Sequence, residues 1–355
     1  MTKWLVLTCA LLASGGGSPD ARLPVVVGRI EPYTFPLGPE ASWAFLWSRG
    51  WIGNSQDDED RIHRILVERP GAKKAGVALT VTDAFMSLRR TPRDIYVHLF
   101  TAKDQDGWLA RVEGSLAVRL SGPVDAEWFA DTPAGLRALH TGPIAHEYRW
   151  QLYAVEKTTL RPLGDEHRGE MTFGLVALPG ELLVAAGDEQ PYGAPAAAHS
   201  PRGRLLHLTT DGKVVREEPF PDRRPAGIAL TDDGWIVVLG WGTPAHEFKD
   251  GTVVARKVTP AGAEPGPWRL LANQIEIPSN LIQRGGWTCF EERSAETAVF
   301  HCINPNRGLH VVTPRLRSLA VKFDIDPRGG HPCLVFRQPR DDGREGRQTV
   351  AMPLP

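Results

Sequence analysis

Short apolar runs separated by polar turns that carry glycine dominate the chain from about residue 76 onward. The runs read GVALTVTDAF from Gly76, WFADTPAGLRAL from Trp128, GLVALPGELLVAAG from Gly174, GIALTDDGWIVVLG from Gly227 and NLIQRGGWTCFEE from Asn280. Each is an apolar run followed, weakly in the first, by a glycine turn and a second apolar run, which is the pattern of a β-hairpin. The turn glycines Gly135, Gly180, Gly234 and Gly286 recur about every fifty residues, the spacing of a repeat array. Third strands follow as RLLHL from Arg204, TVVARKVT from Thr252 and LHVVT from Leu309.

Trp235–Trp241 (WIVVLGW) is apolar almost throughout rather than alternating. A strand of that kind belongs to a sheet covered on both faces. One four-stranded sheet cannot bury both faces alone, but sheets stacked around a ring can. The expected fold is therefore all-β, a single β-propeller over residues 24–355. Units starting near 76, 127, 174, 227 and 280, plus one blade shared by the two ends, give six blades. Seven follow if each end builds most of its own. In either case N- and C-terminal strands close the ring and remove an open sheet edge. A β-sandwich followed by a smaller propeller is the alternative, because the repeat weakens before residue 126. Helical interruptions are considered at 57–67 and 125–140, the latter read mainly as strand.

The repeats resemble those of bacterial NHL- and YVTN-type propellers in their strand-turn-strand form, without those families' signatures or the marks of WD40 repeats. The resemblance implies a fold and carries no active site with it.

The N-terminus reads as an export signal over 1–15, with Lys3, an apolar run Trp4–Ala13 and small residues at Ser14–Ser18, followed by a linker over 16–23. The other reading of this run is a buried first strand. No later run is long and apolar enough for a membrane-spanning helix, and export implies a secreted or periplasmic protein. In that compartment cysteines pair. Cys289 and Cys302 face one another if the hairpin WTCFEERSAETAVFHC opposes Glu291 to Phe300, which leaves Cys333 over. The alternative is two buried thiols. No Cys or His spacing suggests structural zinc.

Charge narrows the partners. Lys and Arg number 41 against 42 Asp and Glu, a net charge of -1, so no basic field recommends nucleic acid. The acidic run 56–60 (QDDED) lacks calcium-loop spacing and reads as a solvated loop. Tyr33, Trp43, Trp47 and Trp51 read as packing between blades, or as a binding patch if exposed. No nucleophile elbow, phosphate loop, dinucleotide fingerprint or zincin motif occurs.

One constellation stands out. Ala-His-Glu occurs at 145–147 and 245–247, with Ala198-His199 at the matching place between them. His146, Glu147, His199, His246 and Glu247 are thus candidate ligand-binding residues, and His146, His199 and His246 could hold a divalent metal at the mouth of the central channel. The alternative is that a repeat duplicates its loop residues for structural reasons. The functional expectation is a non-catalytic exported module that presents one propeller face to a protein or glycan. A metal-dependent propeller hydrolase or lyase is the second reading.

Overall fold

The computed structural model describes residues 22–32, 43–49, 62–68, 76–82, 84–90, 94–101, 108–113, 116–121, 126–144, 147–188, 203–220, 224–241, 251–259, 265–276, 278–293, 297–317, 323–326, 332–339 and 347–355. The chain enters with β1 (Val25–Val27) and β2 (Glu31–Pro32), which join sheets built near the other end. Sheet A is β3 (Trp43–Arg49), β4 (Ile62–Glu68) and β5 (Gly76–Thr82). Sheet B is β6 (Ala84–Arg90), β7 (Ile95–Thr101), β8 (Trp108–Glu113) and β9 (Leu116–Arg119). Sheet C is β10 (Ala126–Thr132), β11 (Gly135–Ile144), β12 (Glu147–Val155) and β13 (Leu160–Arg168). Sheet D is β14 (Glu170–Leu178), β15 (Glu181–Asp188), β16 (Gly203–Leu208) and β17 (Val214–Pro219). Sheet E is β18 (Arg224–Leu230), β19 (Trp235–Trp241), β20 (Gly251–Lys257) and β21 (Arg269–Ile275). Sheet F is β22 (Pro278–Arg284), β23 (Trp287–Arg293), β24 (Thr297–Asn304) and β25 (Leu309–Val312), widened by β1 on β25 and by β26 (Leu316–Arg317) on β24. Sheet G is β27 (Phe323–Asp326), β28 (Cys333–Pro339) and β29 (Arg347–Pro353), with β2 on its edge.

Each of sheets B to E is an antiparallel meander in chain order, and the first strands of successive sheets from B to G touch. This is the arrangement of a single β-propeller, with first strands innermost. Among the described residues the core is correspondingly divided into seams, one between each pair of neighbouring sheets from B to G. On β19, Ile236 and Val238 enter the D/E seam while Val237 and Leu239 enter the E/F seam, all buried. Period two puts successive side chains on opposite faces, and both faces are covered, so every position along the strand must be apolar. The four turn glycines have positive φ, from 76° at Gly286 to 104° at Gly135. A residue with a Cβ is strained there, which is why glycine punctuates the repeat.

Several expectations need correction. Six blades, or seven, are not observed: five sheets (B, C, D, E and G) have the four-stranded form, beside the three-stranded A and the enlarged F. The run from Gly76 does not open a unit, since β5 pairs with β4 as the last strand of sheet A, and a new sheet begins at Ala84. Its apolar residues match a first strand in composition, and nothing local distinguishes the two. Residues 62–67 are strand rather than helix, as are 126–140 apart from the 133–134 turn. LHVVT from Leu309 is the fourth strand of its sheet, because Thr297–Asn304 supplies the third.

The N-terminal strap 22–32 crosses three sheets on its way in. Leu23 is buried in the E/F seam and its N–H donates to the Leu271 carbonyl at 3.1 Å. Val25–Val27 then pair in parallel with His310–Val312, and Glu31 and Pro32 pair with Ala351 and Val350 of sheet G. Gly28 crosses between sheets where a Cβ would lie 2.3 Å from the Met352 sulfur, so no larger residue fits without displacing that side chain.

Candidate functional site

The strand boundaries place the Ala-His-Glu positions in equivalent connections. Residues 145–146 join β11 to β12, 189–202 join β15 to β16, and 242–250 join β19 to β20, in each case the second strand of a sheet to the third. In an antiparallel meander these connections share one end of the sheets. The glycine turns at 133–134, 179–180, 232–234 and 285–286 lie at the other end. His146, His199, His246 and Glu247 themselves lie outside the described residues, as do Tyr33, Trp51, the 56–60 run and the leader. Glu147 opens β12 and Trp43 and Trp47 lie on β3, but their side chains are likewise outside the described set.

The strand ends beneath these connections are described, and they form a charged and aromatic shoulder across sheets C and D. Trp150 on β12 stacks on His167 of β13 with ring centroids 3.8 Å apart and planes 1° from parallel. Its indole N–H donates to Glu170 of β14 at 3.3 Å. Arg204 on β16 closes the set by pairing with Glu170 and, at 2.9 Å, with Glu217. Burial, and then the Arg204 charge, lowers the basicity of His167, so the stacked imidazole is neutral at pH 7. Burying Glu170 costs little because the cation and the indole donor both satisfy it. The shoulder therefore fixes the bases of the 145–146 and 189–202 connections rather than offering an unpaired group for chemistry.

Two polar clusters inside the seams escaped sequence reasoning. In the D/E seam, Arg256 of β20 makes a bidentate pair with Glu218 of β17, through Nη1 to Oε1 and through Nη2 to Oε2 at 2.7 Å. The Trp268 indole donates to the same carboxylate at 3.2 Å, and the guanidinium lies 4.4 Å over the Trp268 ring. Burial pushes the Glu218 carboxyl up, but hydrogen bonds from His207 and Arg256 and the guanidinium charge outweigh it and bring it down to about 2. In sheet F, His301 lies 3.0 Å from His310 and 2.7 Å from Glu292. The one sequence signal for either cluster is a charged residue or histidine on a strand face whose neighbours two positions away are apolar, as His301 is between Val299 and Ile303.

A cleft of ≈ 340 Å³ opens at the glycine-turn end between sheets B and C, walled by Asp94, Tyr96, Arg111, Asp131, Glu156 and Lys157. The Tyr96 hydroxyl there is pushed up to about 12, by burial first and by Asp94 second. This cleft lies at the opposite end of the sheets from the histidine connections. Among the described residues no group of three or more His, Cys, Asp and Glu is arranged to hold a metal, and no helix is long and apolar enough to cross a membrane.

The cysteine expectation is met in full register. Cys289 faces Cys302 and Glu291 faces Phe300, and the two cysteines form a disulfide with Cα atoms 4.1 Å apart. That separation belongs to a non-hydrogen-bonded antiparallel pair, in which the side chains lie closer. Cys333 opens β28, half-buried and outside the bridge.

No protein-family model and no curated protein matches the chain. Solved structures do. The β-propeller domain of the Trilobed protease from Pyrococcus furiosus, described as having an open velcro topology, is 11% identical with a TM-score of 0.50, over 94% of this chain and 95% of that one. An oligogalacturonate lyase in complex with manganese is also 11% identical with a TM-score of 0.50, over 93% of this chain and 98% of that one. At such identities the likeness establishes the fold alone: the chain is a β-propeller.

Proposed function

We propose that this protein is an exported binding propeller, which presents the end carrying connections 189–202 and 242–250 to a protein or glycan partner. The observation that supports this most is the asymmetry of the two ends. At one end the first and second strands of sheets C to F are joined by tight glycine turns, while at the other the chain spends two long connections, 189–202 rooted on the Trp150–Glu170–Arg204 shoulder and 242–250 on the neighbouring sheet E. Long connections on a rigid β scaffold are where recognition concentrates. The disulfide and the absence of a spanning helix among the described residues are compatible with export. The same reading takes the pairing of β2 with β29 as the closure of the ring, with the leader 1–15 removed.

The test compares the mature chain with a variant in which 189–202 and 242–250 are exchanged for Gly-Ser linkers. Binding is read on a polysaccharide array and by quantitative cross-linking to the exported proteins of the host cell. We expect affinity for one defined glycan or protein to fall at least tenfold in the variant at unchanged far-UV signal. Equal binding by both chains, or by neither, would overturn the proposal.

A second reading puts a divalent metal at that same end, in a propeller hydrolase or lyase. It is supported by the chain positions of His146, His199 and His246, each between the second and third strands of its sheet. Imidazole and carboxylate from neighbouring loops are competent ligands for a transition metal. Equilibrium dialysis against zinc and manganese is expected to give one ion per chain, lost in His146→Ala with His246→Ala. Undiminished uptake in the double variant, or none in the wild type, would return these residues to a structural role.

A further inference from the structure

We propose that His301 and His310 form an acid-operated latch for the N-terminal strap, holding residues 22–32 on sheet F at neutral pH and releasing them as the pair takes up protons. The two imidazoles lie on neighbouring strands of sheet F, on the face turned to sheet E. His301 Nδ1 is 3.0 Å from His310 Nε2, and His301 Nε2 is 2.7 Å from a Glu292 carboxylate oxygen. The ionised carboxylate only accepts, so the His301 Nε2–H donates to it. With both rings neutral, His301 Nδ1 then accepts from the His310 Nε2–H. His310 Nδ1 is left as a lone pair, buried and without a partner among the described residues.

Glu292 is the carboxylate in contact with this pair, on the His301 side. A proton on each ring would set two cations 3.0 Å apart in a seam lined by Leu271, Ala272, Val253 and Ala255. Among the described residues the titratable neighbour on β24 is His301 and on β23 Glu292, acting through His301. The strap sets Val25 beside His310, with Arg29 and Glu31 paired to one another at the exposed far end and Arg22 exposed before Leu23, and the seam residues of sheet E just named are apolar. Burial, and then the His301 charge, accordingly lowers His310 from 6.5 to about 3.

The strap is the part able to yield. Val25 is the direct register partner of His310. Leu23, on the same face two residues earlier, plugs the seam within 3.9 Å of where a Cβ on Gly308 would lie. All three valines of β1 are more than half exposed, so lifting the strap removes little from the core apart from Leu23. Once it lifts, water reaches His310 and its ordinary basicity returns. The open form binds one more proton than the closed form below about pH 6, so the opening equilibrium should rise about tenfold per pH unit.

Hydrogen exchange of the intact chain measures this directly at the Leu23 and Gly28 amides, which donate to Leu271 and Val312. Between pH 6 and 4 we expect their protection factors to fall about tenfold per unit in the wild type and to stay flat in His310→Phe, while the core amides of Val238 and Leu239 stay protected in both. His310→Gln serves if the phenylalanine variant does not fold, and Leu23→Ala should lower strap protection at every pH while keeping the slope. Flat wild-type protection, an undiminished slope without His310, or loss of core and strap protection together would each overturn the latch.

Discussion

Arg256→Ala is expected to destabilise the protein by about 3 kcal/mol, the lower end of the range for breaking a buried ion pair by removing one partner. The guanidinium is 4% exposed and its partner Glu218 19% exposed, so neither recovers much hydration when the other is lost. The pair spans the D/E seam, where Arg256 also covers the face of Trp268, so packing is lost with the charge. The pH dependence has a definite sign. A carboxyl held at about 2 in the folded state against 4.5 unfolded contributes stability that is fully present above pH 4.5 and lost as pH falls toward 2. That difference corresponds to about 3 kcal/mol. Urea titrations at pH 7 and pH 3 should therefore show wild type and variant far apart at pH 7 and closer at pH 3, with similar m-values. A pH 7 difference under about 1 kcal/mol would show that solvent already screens the pair.

Replacing both Cys289 and Cys302 by alanine should cost about 3 kcal/mol, from the denatured-state entropy released when a loop of 13-residue separation is no longer closed. For a chain of this size that corresponds to a Tm lowered by about 4 °C, before any contribution from the small cavity left behind. Both sulfur-bearing side chains are fully buried in the F/G seam with Trp287, Phe300 and Phe336. Native protein should therefore resist reduction by millimolar dithiothreitol and become susceptible only under denaturing conditions. Rapid reduction of the folded protein, or a double variant with unchanged Tm, would contradict this account.

Much of the fold could be read from the residues, and the reasons are local. Gly135, Gly180, Gly234 and Gly286 occupy positive-φ turns that other residues adopt at a cost, so their spacing reports the repeat directly. The Cys289–Cys302 register followed from counting outward from a hairpin turn, because pairing advances one residue at a time on each strand. WIVVLGW is apolar because both faces of β19 meet a seam. What escaped depends on partners distant in sequence. Whether Gly76–Thr82 ends one sheet or begins another is decided by Ile62–Val67 across the 69–75 connection. Arg256 looks like a solvent-facing charge until Glu218 of the preceding sheet is placed opposite it. His301 and His310 likewise look like two isolated histidines in strands until the β24–β25 register brings them together. The candidate ligands His146, His199 and His246 could be assigned to equivalent connections, but equivalence follows from the repeat and holds whether or not they share a ligand.

The division of the core into seams has a consequence for how the molecule comes apart. Among the described residues each hydrophobic cluster is shared by neighbouring sheets, from the B/C cluster around Tyr96 and Ala138 to the F/G cluster around Phe336. Such a molecule behaves as a row of nearest-neighbour couplings, in which a sheet is only as cooperative as the weaker of its two interfaces. A defect at the D/E seam should therefore be felt first by sheets D and E, which share it, and only through them by the sheets on either side.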